Sequence, residues 1–138
     1  MAAPTRALLV PLIAGVVTSA AIPAIAADRL RPGNYEQTVT IAGKTMKRPQ
    51  CISQSDADAI NGDAKSIRTW LERLVSPVDK SCAIKDVNAV GNKVTVTKSC
   101  PDGRETVGTT TYFGDRYETV NSGGIKSEGR WTGPCKQP

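Results

Sequence analysis

The segment Cys82–Cys100, "CAIKDVNAVGNKVTVTKSC", holds two of the chain's four cysteines, placed at equal distances from Gly91. Val94 and Val96 alternate with Thr95 and Thr97, the period of a strand buried on one face, and Gly91-Asn92 is a turn signal. The segment therefore reads as a β-hairpin whose open end carries Cys82 opposite Cys100. Directly opposed residues in a non-hydrogen-bonded pair have Cα atoms about 4.5 Å apart, at the short end of the disulfide range. A bond there stabilises by roughly 3 kcal/mol in the chain-entropy model. A register symmetric about Gly91 sets Asp86 against Val96, so a bulge is expected in the first strand. By elimination Cys51 pairs with Cys135, closing a far longer loop with a nominal contribution of about 4 to 5 kcal/mol.

Disulfides require an oxidising compartment, and the N-terminus supplies one. "MAAPTRALLVPLIAGVVTSAAIPAIA" has a basic residue (Arg6), an uncharged apolar run and an Ala24-Ile25-Ala26 cleavage signature, the three parts of a secretory leader. Pro11 and Pro23 break the run, which makes it a poor membrane-spanning helix. The leader is read as residues 1–26 and the secreted domain as residues 27–138, with export to the periplasm and no transmembrane segment after cleavage. The cysteines lack the close C-x-x-C pairs that zinc sites use, which again favours disulfides.

On the N-terminal side of the opening segment, "YEQTVTIAGKTMKR" reads as a second hairpin. Tyr35, Gln37, Val39 and Ile41 alternate with polar residues, Ala42-Gly43 turns, Met46 faces back to the core, and Pro49 stops the strand. Ser53 and Ser55 each precede an aspartate by three residues, a capping pattern for a short helical turn. Ile67, Trp70, Leu71, Leu74 and Val75 then share one helix face, with Asp63 as cap and Pro77 as stop. On the C-terminal side, "RETVGTTTYFGDRYETV" reads as a hairpin about Gly114-Asp115. "IKSEGRW" sets Ile125, Ser127, Gly129 and Trp131 on one strand face. Strands grouped around one helical segment imply an α+β fold: a curved antiparallel sheet of about six strands with one main amphipathic helix packed against it and two disulfides.

The five motifs "LRPGNYE", "QCIS", "GN" at the centre of the cysteine hairpin, "YFGDRYE" and "GRWTGPC" come in that order. With the leader and the four cysteines, they resemble the exported proteobacterial family known as domain of unknown function 3617, over essentially the whole secreted chain. Asn34-Tyr35 departs from the apolar residue and tryptophan that such proteins commonly carry there, which is a packing change. The resemblance implies export and a compact disulfide-stapled domain. It implies no established activity and no catalytic residue.

The composition removes many chemistries. The sequence has no histidine, which excludes His-based triads and the usual general base. With every cysteine bonded no thiol nucleophile remains. No phosphate loop or dinucleotide fingerprint is present, and Asp56, Asp58 and Asp63 do not have calcium-loop offsets. The +5 charge of the whole chain is mild and dispersed, with "KTMKR" the one local cluster, so no nucleic acid is expected as partner. Carboxylate pairs are the remaining hydrolytic device: Glu105, Asp115, Glu118 and Glu128 fall on strands, beside Arg104, Arg116, Lys126 and Arg130. Tyr35, Trp70, Tyr112, Phe113, Tyr117 and Trp131 are read first as core and second as the lining of an apolar pocket. The reading preferred from sequence is a non-enzymatic periplasmic monomer that binds an envelope component or partner protein. A soluble carrier of a small apolar ligand comes second, and a carboxylate-based glycan hydrolase third. No catalytic, cofactor-binding or metal-binding residue is assigned, and no cofactor is expected.

Overall fold

The computed structural model describes residues 28–74 and 82–136. The leader with its cut at Ala26, Val75 on the helix face and Pro77 as helix stop lie outside them. Seven strands form one sheet: β1 (Gly33–Ile41), β2 (Lys44–Ile52), β3 (Ala83–Val90), β4 (Lys93–Ser99), β5 (Glu105–Tyr112), β6 (Arg116–Asn121) and β7 (Lys126–Gly133). Their order is β2-β1-β7-β6-β5-β4-β3, and every neighbouring pair is antiparallel. The α+β class stands, with seven strands where about six were expected. Helices α1 (Gln54–Asn61) and α2 (Ala64–Leu74) fill the connection from β2 to β3, the two edges of the sheet. A connection between opposite edges must cross one face, and α2 ends packed on β3.

Local chemistry explains the elements. Ala42 and Gly43 both have positive φ (49° and 78°), as a two-residue hairpin turn of the left-handed kind requires. Ser53 caps α1 with a complete capping box to Asp56, so the acids of "SDAD" have structural roles. Asp63 accepts the Ser66 amide at 2.8 Å and so starts α2. The bulge falls at Lys85, between the pairs Ile84–Lys98 and Asp86–Thr97. It reconciles a turn centred between Gly91 and Asn92 with cysteines centred on Gly91. Arg68 of α2 donates to the Ile84 and Lys85 carbonyls at 2.9 and 3.0 Å, so the helix holds the bulge directly. Cys82 and Cys100 are bonded with Cα atoms 4.0 Å apart, and Cys51 is bonded to Cys135.

Two local expectations need correction. The strand does not stop at Pro49: β2 runs through it to Ile52, because an edge strand has one row of N–H groups with no ladder partner and tolerates proline. Met46 does not face the core but is 59% exposed. It pairs with Val39 near the tip of the first hairpin, where the neighbouring ribbon is itself only partly covered.

Burial falls off in the same direction along β1, β4, β5, β6 and α2. Tyr35 and Gln37 are buried, Val39 is half-buried and Ile41 exposed; Val94 is buried while Val96 and Lys98 are half-buried; Tyr112 and Tyr117 are buried while Thr110 and Thr119 are half-buried. On α2, Ile67 is buried, Trp70 and Leu71 half-buried and Leu74 exposed. The curved sheet and its helices therefore form a cup with one closed end and one open end.

The closed end is sealed by the segment before β1. Leu30 bridges Gly114 in the β5–β6 turn, and the Asn61 side chain bonds both the Leu30 amide and carbonyl, at 2.9 and 2.8 Å. Arg29 is 7% exposed and donates to the carbonyls of Ile60 (2.8 Å), Gly62 (2.7 Å) and Gly91 (2.7 Å). It thus clamps the end of α1, where a cation is favoured by the helix dipole, to the β3–β4 turn.

Candidate functional site

Between α2 and the sheet lies a cleft of about 270 Å³. Its roof is Ile67, Trp70 and Leu71 of α2, and its inner end is Leu30, Ile60 and Ile52. The floor comes from β4, β5 and β6, through Val94, Val96, Tyr112 and Tyr117. Trp70 is held in place by its indole N–H, which donates to Asp56 at 2.9 Å. That bond and the one from Ser53 keep the Asp56 carboxyl below its usual range, the Ser53 contact contributing most.

Tyr35, in the core, extends the two floor tyrosines into a row of three. Tyr117 lies 5.9 Å from Tyr35 and 6.3 Å from Tyr112 between ring centroids. Its ring covers Gly129, where a Cβ would sit 2.1 Å from Tyr117 Cε1; the glycine is there to admit the ring. Burial pushes the Tyr35 and Tyr112 hydroxyls up to about 12. Tyr35 donates to the Arg31 carbonyl at 2.8 Å and Tyr117 to Gln50 Oε1 at 2.7 Å.

Outward of the tyrosines the floor turns polar. Thr110 and Thr119 hydroxyls are 2.9 Å apart, Gln37 Nε2 donates to Ser127 Oγ at 3.1 Å, and Arg48 Nε donates to Gln37 Oε1 at 2.5 Å. Register places these residues on five adjacent strands, β5-β6-β7-β1-β2. Among the described residues no acidic side chain lines the cleft.

Of the six aromatics singled out from sequence, Trp70, Tyr112 and Tyr117 line the cleft. Tyr35 is fully buried core, and Trp131 packs on the core's edge beneath Arg31, 3.3 Å from its ring centroid. Phe113 is neither core nor lining: it is 45% exposed and stacked by Arg116 at 4.1 Å, because its strand position follows Tyr112 and so points to the opposite face. The carboxylates are elsewhere. Glu118 and Glu128 oppose each other in register, on the face away from Tyr117, held by Arg116 (2.5 Å) and Arg130 (2.6 Å). Glu105 pairs with Lys85, and the Asp115 carbonyl accepts the Trp131 amide at 2.8 Å. Sequence reading missed Arg29, the strap it anchors, and the polar floor. Only the spacing of Gln37 and Ser127 on strand faces pointed to the last of these.

Among the described residues no helix is long and apolar enough to cross a membrane. No curated protein and no solved structure matches the chain. The model of the family described as "Protein of unknown function (DUF3617)" matches residues 30–135, from Leu30 of the strap to the disulfide at Cys135. The chain belongs to the DUF3617 family.

Proposed function

We propose that this is an exported, non-enzymatic binding protein of the periplasm that carries a small apolar ligand in the cleft under α2. The observation that carries the reading is the partial cover of the α2 apolar face. Ile67 is buried in the core, but Trp70 and Leu71, packed against the core's edge, stay half-buried and border the open cleft with it, although protein interiors are normally close-packed. The volume is at the low end of ligand cavities, roughly 300–1,000 Å³, which suits a small molecule. This moves the carrier reading ahead of one in which a partner protein docks on the outer surface. Glu118 and Glu128 border a separate depression on the other face, but each is ion-paired, to Arg116 and Arg130, as in a solvated ladder, which leaves the hydrolase reading without a free acid–base pair. Two disulfides support an oxidising compartment.

Native mass spectrometry tests the proposal on protein exported with its leader and purified gently. The expected result is a second species heavier by a small-molecule mass, absent from a Leu71→Arg variant that fills the cleft with charge. A single unliganded mass, together with no uptake of any apolar fluorescent probe, would sink the carrier reading.

A further inference from the structure

We infer that the ligand is a single-tailed amphiphile with an acidic head, bound tail inwards with its carboxylate at Arg48; the inference rests on the carrier reading. The cleft is graded along its length. Its inner end is aliphatic and aromatic, from Leu30, Ile60 and Tyr112, so an apolar tail gains by entering first. The next zone outward is the row Thr110, Thr119, Ser127 and Gln37; Arg48, exposed and just outside the lining, is bonded to the last of these. A purely apolar ligand would bury these hydroxyls and the Gln37 amide against hydrocarbon, which is unfavourable.

The ligand's head must find its partner at the mouth, because Ser127 and Thr110 are already bonded within the floor, to Gln37 and Tyr117 and to Thr119 and Tyr112. Arg48 uses Nε on Gln37, and among the described residues no hydrogen bond engages its two terminal nitrogens. A guanidinium with its fork unengaged is matched to a carboxylate. No acidic group lines the cleft, and Glu36, which shares a neighbouring depression with Arg48, is taken up by Lys47. The small volume admits one short tail and excludes a two-chain lipid.

Decanoate and decanol share a tail and differ in the head, so titration of both against the full secreted protein separates the two levels of the reading. The expected result is decanoate binding about tenfold or more tighter than decanol, as a charge-assisted hydrogen bond supplies. Arg48→Met should erase that difference. Arg48→Lys should keep only part of the difference, because an ammonium does not match the carboxylate with a fork, and it provides the test if Arg48→Met lowers the thermal midpoint. Equal binding of both probes overturns the acidic head and leaves the cleft reading standing. Binding of neither overturns both.

Discussion

Replacing Arg29 with methionine should cost more stability than any other single polar substitution in the domain. The side chain is almost fully buried and makes three hydrogen bonds of 2.7 to 2.8 Å to carbonyls from two separate places, the end of α1 and the β3–β4 turn. Bonds from a charged donor are worth roughly 1.5–3 kcal/mol each. They are not additive, because water reaches part of the site once the guanidinium is gone. Losing the clamp leaves the Ile60, Gly62 and Gly91 carbonyls without their donor, and truncation of one partner in a buried charged arrangement typically costs about 3–5 kcal/mol. That range is the expected loss, against a total of roughly 5–15 kcal/mol for a domain. Equilibrium urea unfolding with disulfides intact measures it as a fall in midpoint at unchanged slope. Arg29→Lys should recover only part, because an ammonium's three donors sit on one nitrogen and do not span the carbonyls that Nε and Nη1 reach separately. A loss below about 1 kcal/mol for the methionine variant would show that those carbonyls simply rehydrate, and the clamp argument fails.

Gly129→Ala places a methyl group 2.1 Å from Tyr117 Cε1; the ring must leave the floor, and a loss of about 2 kcal/mol or more is expected in the same unfolding assay, with decanol binding weakened in parallel. Stability should fall on the alkaline side. Below pH 10 both states hold the Tyr35 and Tyr112 phenolic protons; between 10 and about 12 the unfolded chain ionises while the folded one does not, so up to about 1.4 kcal/mol per tyrosine is lost for each pH unit. A urea midpoint that stays flat through that window contradicts the buried tyrosine row. On the acid side the lowered Asp56 carboxyl acts oppositely: its contribution is present above pH 3.8 and fades as pH drops through the folded value. Removing Cys82–Cys100 by paired serines should cost about 3 kcal/mol and removing Cys51–Cys135 about 4.6 kcal/mol, from separations of 18 and 84 residues; the reverse order, read by thermal melts, would refute a purely entropic account.

Much of the fold was legible because its signals are local. The Val94/Val96 alternation, the Gly91-Asn92 turn and the mismatch at Asp86 were enough to specify the hairpin and its bulge. Pro49 misled because its meaning depends on whether a strand is central or at an edge, which the strand order decides and the residues around it do not. Met46 misled because alternation assigns a face but not how far the helices extend along it. The cleft was legible only as a set of aromatics that could serve core or pocket. Trp70 and Tyr117 became lining because the α2 face rises away from the sheet toward Leu74, a tertiary property. Arg29 carried no sequence signal at all: a buried arginine is announced by its carbonyl partners, and these come from residues 31 to 62 positions away.

The sheet's order has a consequence for how the chain can be made. The first strand lies between the second and the last, and the Cys51–Cys135 bond ties that same seam. An emerging polypeptide can form its hairpins one by one, but β1 keeps an unsatisfied row of amides until β7 arrives. Such a molecule stays loose while any of its C-terminal end is missing, and it locks only once the last strand has joined the seam.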